Sequence, residues 1–204
     1  LQLRSPSNSL EAGVLVSSPE NGADIYLTID PYIQAIVEEE VEKAVHQAGA
    51  QSGWAIMMDP SSGQIQSFAQ YPAFDPSDYR TYYNDSHLKN FTSIQGVSHC
   101  FEPGSTMKPI SIAIALLANH TLEKQGKEAI FDPMQMIPTW DGSFPGRKSS
   151  IQDVREHRYL NMNLAIQKSS NVYVAKVIQR VIAALGDQWY RTQLEQVFGF
   201  GKKT

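Results

Sequence analysis

Long apolar runs are missing from this chain. Its longest greasy stretch, ISIAIALLA at 110–118, is half of the roughly 20 residues that a membrane-spanning helix needs, and it reads as a buried helix. No signal-peptide pattern opens the sequence, so a membrane anchor is expected to lie outside these residues. Cysteine is nearly absent. The single Cys100 excludes an internal disulfide and a Cys-rich metal site, and leaves the redox compartment open. Charge of one sign is lacking too: the net charge is −4 and the pI near 5.7, without the basic footprint that nucleic acid requires. Histidine is sparse, and His46, His87, His99, His120 and His157 show no metal-ligand spacing. Neither a cofactor nor a metal is expected. Repeats and low-complexity blocks are absent.

What is there is ordinary globular sequence, 42% hydrophobic over 204 residues, enough to bury one core. Residues 1–22, rich in Ser, Pro, Asn and Gly, read as a linker or lead-in, with one domain from 23 to 204. DIYLTID (24–30) alternates like a strand. Asp30-Pro31 is a helix start, and the next helix carries Ile33, Ile36, Val37, Val41, Ala44 and Val45 on one face until Gly49. Its acidic run, Glu38 to Glu40, reads as a solvated face rather than a metal site. Residues 53–59 and 64–70 form a hairpin across PSSG. A loop rich in aromatics and prolines follows to about residue 100. Helical patterns cover Ser105 to about Asn119, Leu160 to Lys168, residue 170 or 171 to about Leu185, and 187–198. Helices mixed with a hairpin indicate an α/β or α+β domain.

The chemistry sits in FEPGSTMKP (101–109). Pro103-Gly104 forces a turn, and Ser105 falls in the first turn of a helix with Lys108 three residues on, on the same face. Free backbone N–H groups and the positive end of the helix dipole favour negative charge at that hydroxyl. A lysine amine, ordinarily titrating near ~10.4, becomes a usable base once burial disfavours its ammonium form. Serine plus a desolvated lysine is a self-contained nucleophile and base for acyl transfer. The spacing alone is weakly specific, since a capped helix start with a snorkelling lysine has the same pattern. A second copy, Ser86-His-Leu-Lys89, lies in a polar stretch with no apolar helix behind it and reads as inert. A second constellation, Ser169-Ser170-Asn171, falls at a junction between two helical patterns. Its hydroxyl and amide are placed to hydrogen-bond the Lys108 amine, relay a proton and hold a substrate amide; helix capping is the alternative.

Together these motifs carry a resemblance. The chain resembles the transpeptidase domain of class B penicillin-binding proteins, whose superfamily pairs S-x-x-K with a Ser-containing second triplet and K-T-G. LTIDPYIQAIVEEEVEKAV, GWAIMMDPSSGQIQSFAQYPAFDP, FEPGSTMKP, QKSSNVYVAK and FGFGKKT look like the family's landmarks in the family's order, from about Gly22 onward. Glu102 and Asn171 look more like the division-type members than the elongation-type ones. The resemblance implies a penicillin-binding, serine β-lactamase-like fold with helices packed on an antiparallel sheet. It implies Ser105 as the nucleophile toward the penultimate D-Ala of a peptidoglycan stem peptide, and Lys108 as the general base. Ser169 and Asn171 then assist proton transfer and bind substrate. β-Lactams are implied as covalent inhibitors. A membrane glycosyltransferase and division proteins are implied as partners, on the extracytoplasmic (periplasmic) face of the inner membrane.

The sequence departs from the family pattern in one respect: K-[ST]-G is absent, and Lys203-Thr204 in GFGKKT is not assigned to the site. The expectation is a partial transpeptidase domain, lacking the anchor upstream and the last strands downstream, and inactive if made alone. Two other readings stand beside it. One is a serine β-lactamase or β-lactam sensor of the same superfamily. The other is a scaffold that keeps the fold without the chemistry. Remaining features are set aside. Cys100 beside His99 is not a thiol catalytic pair, because adjacent residues do not face each other. Asn84, Asn90 and Asn119 start N-x-[ST] triplets by chance.

Overall fold

A computed structural model describes residues 21–202. The proposed lead-in therefore lies almost wholly outside the described residues, as do Lys203 and Thr204. The chain divides into two compact units, residues 1–100 and 101–204.

The first unit is built on helix α1, Pro31–Ala48. The Asp30 carboxylate caps it by accepting from the Tyr32 and Ile33 N–H groups, Pro31 holds its first position, and Gly49 closes it at φ 60. Strands β1 (Gly53–Met58) and β2 (Ile65–Tyr71) pair antiparallel, Ala55 opposite Ala69, with a bulge at Met57/Met58. The turn between them is fastened by Asp59, which exchanges backbone bonds with Gly63 and Gln64 and accepts from Ser61 and Ser62. The helix packs on this hairpin, with Val45 buried and Ile33, Val37 and Val41 half-buried. Two expected members of that face, Ile36 and Ala44, are exposed instead. Gln34 takes part of the space. Its amide accepts from the Phe68 N–H (2.8 Å) and donates to the Phe68 carbonyl (3.1 Å), clipping the outer edge of β2.

The strand expected at 24–30 does not form. That segment touches β2 through the Asp30 N–H to the Gln66 carbonyl (2.9 Å) and the Thr28 hydroxyl to the Ile65 carbonyl (2.5 Å). Ile25, Tyr26 and Leu27 are 84%, 91% and 76% exposed, so both faces of the alternation are uncovered and nothing within the unit rewards a ladder. The loop region after β2 holds short helices α2 (Tyr79–Asn84) and α3 (Gln95–Ser98).

In the second unit helix α4 (Met107–Lys124) is preceded by a 3₁₀ turn at Gly104–Thr106. Two-residue strands β3 (Ile137–Pro138) and β4 (Tyr159–Leu160) pair antiparallel, and helices α5 (Met162–Gln167), α6 (Asn171–Leu185) and α7 (Asp187–Gln196) follow. The core is a single cluster of Ile112, Ala115, Ala118, Phe131, Ile137, Leu160, Ala165, Tyr173, Val174, Val177 and Val181. Ala115, Ala118 and Ala165 have no exposed surface, and their small side chains let α4, α5 and α6 approach closely. The loop before β3 is tied to α4 by the buried Asn119. It accepts from the Ile130 N–H and donates to the Phe131 carbonyl, both at 2.7 Å. The mixed α/β class with small antiparallel sheets is as expected from the sequence.

Candidate active site

The turn into α4 is dictated locally. Gly104 has φ 58, a left-handed conformation that a side chain resists, and its ideal Cβ position meets nothing, so backbone freedom is the reason for glycine there. The chain then makes one 3₁₀ turn, with the Thr106 hydroxyl donating to the Pro103 carbonyl at 2.6 Å. Ser105 consequently sits in this turn, just ahead of the α-helix proper and not in its first α-turn as expected. The turn leaves Ser105 exposed, while Lys108 lies in the first turn of α4. Lys108 heads the buried stripe of that helix (Lys108, Ser111, Ile112, Ala115, Ala118, Asn119, Leu122) and is only 9% exposed. An exposed hydroxyl thus stands next to a buried amine.

The third group comes from the junction between α5 and α6. Ser169 has φ 56, the one left-handed non-glycine residue among those described. Its N–H is held by the Ile166 carbonyl (3.1 Å), and the next N–H, of Ser170, by the Ala165 carbonyl (2.9 Å). That twist turns two oxygens of one residue toward the amine. Lys108 Nζ donates to Ser169 Oγ at 2.9 Å and also to the Ser169 backbone carbonyl in a short contact. Ser169 Oγ in turn donates to Ser105 Oγ at 2.9 Å. The hydrogen-bonded order is therefore Ser105–Ser169–Lys108, with the serine of the second motif between nucleophile and amine.

Burial pushes the Lys108 amine below the usual lysine range, because the ammonium loses its hydration; the negative charge of Asp153 opposes this. Asn171, the other residue singled out in the second motif, is placed differently. It is the first residue of α6. Its side-chain amide donates to the Gln152 carbonyl at 2.9 Å and its backbone N–H to Asp153 Oδ1 at 2.5 Å. It makes no bond to Lys108, whose amine donates to Ser169 instead. Ser86 and Lys89 lie in the other unit, both exposed, in a turn organised by the Asp85 carboxylate. Among the described residues no group of three or more His, Cys, Asp or Glu side chains could hold a metal ion, and no helix is long and apolar enough to cross a membrane.

The transpeptidase model of penicillin-binding proteins matches residues 53–204, a span that includes both motifs. The chain belongs to the penicillin-binding protein transpeptidase family. Among curated members it is 32% identical over 197 residues to the "Probable peptidoglycan D,D-transpeptidase PbpC" of Pseudomonas aeruginosa, covering 96% of this chain and 31% of that protein. It is 33% identical to PenA of Neisseria gonorrhoeae (80% and 25% covered) and 29% identical to the peptidoglycan D,D-transpeptidase FtsI of Escherichia coli K12 (93% and 29%). The chain therefore spans about a quarter to a third of these relatives' length. Similar solved structures include a peptidoglycan glycosyltransferase from Burkholderia ambifaria, with TM-score 0.64 at 25% identity, covering 87% of this chain and 46% of that one. Another is the transpeptidase domain of penicillin-binding protein 3 from Burkholderia pseudomallei, with TM-score 0.57 at 26% identity, covering 79% and 40%.

One residue beside this cluster escaped sequence reasoning. Asp153 accepts the Ser170 hydroxyl at 2.6 Å and the Asn171 and Val172 N–H groups at 2.5 and 3.0 Å. No motif marks it in IQDVRE. Its signal would have been an acceptor missing from the buried SSN helix start, which cannot be seen without the fold.

Proposed function

We propose that this chain carries the acylation centre of a peptidoglycan D,D-transpeptidase, a serine-type acyltransferase that is also the target of β-lactams. The observation that carries this reading is the continuous hydrogen-bonded line from an exposed serine, through a second serine, to a buried lysine. Ser105 Oγ attacks the carbonyl carbon of the penultimate D-Ala. Its proton passes to Ser169 Oγ while the Ser169 proton passes to the neutral Lys108 amine, a transfer that needs only hydroxyls able to donate and accept at once. Collapse of the tetrahedral intermediate breaks the peptide bond. The terminal D-Ala leaves with the returned proton, and an ester on Ser105 remains. The amine of a neighbouring stem peptide then attacks the ester, gives up a proton through the same line, and leaves as a cross-linking amide with the Ser105 hydroxyl restored. The Ser105 N–H at the head of α4 stabilises the oxyanion. Asn171 Oδ1, which has no protein partner among the described residues, accepts from the substrate backbone.

The family membership and the relatives named as D,D-transpeptidases support the substrate class. Glu102 and Asn171 favour septal over side-wall synthesis. The setting that follows is the periplasmic face of the inner membrane, beside a glycosyltransferase and other division proteins. The test uses the full-length protein and a fluorescent penicillin. Stoichiometric, long-lived label on Ser105, lost in Ser105→Ala, is the expected result. Rapid turnover of the label would indicate a β-lactamase, and a folded protein that never labels would leave only a scaffold.

A further inference from the structure

We propose that Asp153 is a positioning residue of the acylation centre, pinning the start of α6 so that Ser169 keeps the backbone twist that presents both its hydroxyl and its carbonyl to Lys108. The inference rests on the roles just assigned to Ser105, Ser169 and Lys108. A left-handed conformation at a residue with a side chain persists only where its surroundings over-determine it. On one side of Ser169 the surroundings are the α5 carbonyls of Ala165 and Ile166. On the other they are Asp153. One of its oxygens accepts the Ser170 hydroxyl, and the other the Asn171 and Val172 N–H groups. Ser170 Oγ completes the set by accepting from the Tyr173 N–H at 3.0 Å. The first three free N–H groups of α6 are thus all satisfied, two of them by this carboxylate. Ser170 has no exposed surface, so its hydroxyl has no water to replace Asp153. Without the carboxylate the residue directly after Ser169 loses the acceptor of its buried hydroxyl.

The same carboxylate acts electrically. Its negative charge favours the ammonium form of Lys108 against burial. Two substitutions in the full-length protein separate the roles. Asp153→Asn keeps an acceptor for the α6 N–H groups but removes the charge and the acceptor of the buried Ser170 hydroxyl. Asp153→Ala removes all three. The readout is the second-order rate of Ser105 acylation by fluorescent penicillin across pH, with thermal melts so that folded proteins are compared. Asp153→Ala is expected to slow acylation about 10²-fold, the scale of a displaced catalytic group. Asp153→Asn is expected to slow acylation several-fold, less than Asp153→Ala, and to move the acid limb to lower pH. If Asp153→Ala does not fold, Asp153→Asn still decides the matter. A folded Asp153→Ala with the wild-type rate, or a folded Asp153→Asn with the wild-type plateau rate, overturns the inference while labelling of the wild type leaves the site reading standing. A wild type that is never modified at Ser105 brings down both.

Discussion

Ser169 is the residue whose removal tests the relay most directly. Its Oγ lies 2.9 Å from both Ser105 Oγ and Lys108 Nζ. Deleting that one oxygen leaves the nucleophile with no hydrogen-bonded path to the base, although Lys108 keeps its contact with the Ser169 carbonyl. Positioned proton transfer contributes about 10²–10⁴-fold, so Ser169→Ala should raise the acylation barrier by roughly 3–5 kcal/mol at 1.36 kcal/mol per decade. A second effect has to be separated from this. At φ 56 an alanine keeps the left-handed strain, of order 1–2 kcal/mol, whereas glycine relieves it. Ser169→Gly should therefore melt above Ser169→Ala, yet acylate just as slowly. The assay is stopped-flow acylation of the full-length protein by a fluorescent penicillin, set beside thermal melts of the two variants. If Ser169→Gly acylates at the wild-type rate, the proton goes straight from Ser105 to Lys108. The order of the hydrogen-bonded line is then not the order of the chemistry.

Three further outcomes follow from the second unit. Acylation needs the neutral Lys108 amine, and burial depresses its affinity for a proton, so the rate should fall as pH drops through a limb lying below the ordinary ~10.4 of lysine. Lys108→Arg, which stays protonated throughout, should lose at least ~10²-fold at every pH between 6 and 10; retention of the rate in a gel-based labelling assay would remove Lys108 from the mechanism. Asn119→Ala strands the Ile130 N–H and the Phe131 carbonyl in the interior, at about 1–3 kcal/mol for each unmet group. That lowers Tm by roughly 4–24 °C at 2–4 °C per kcal/mol, with Ser105 labelling of the folded protein unchanged. A shift under about 2 °C by differential scanning calorimetry would show that water replaces the amide.

How much of this was legible beforehand depends on how local each cause is. Asp30-Pro31, the 59–63 turn and Gly104 act within a few residues, so the start of α1, the hairpin and the forced turn before Ser105 were all readable. Ile36 and the 24–30 segment were not, because periodicity reports which residues could be covered and not whether anything covers them. Ser105 and Lys108 were readable for the same local reason: a spacing of three crosses one turn of chain. The contact of Ser169 with Lys108 spans 61 residues and rested on motif and resemblance, which supplied the partners but not the order in which they bond. The pull on Asn171 from Gln152 and Asp153 spans 19 and 18 residues and had no pattern behind it. The physical reason is that an acceptor is recognised by what it satisfies. Asp153 satisfies a buried helix start, and that need exists only once α4, α5 and α6 have closed over Ser170. A serine–lysine pair can thus be found by its own chemistry, whereas the group proposed to hold its relay in place can be found only from the donors the fold would otherwise leave unmet.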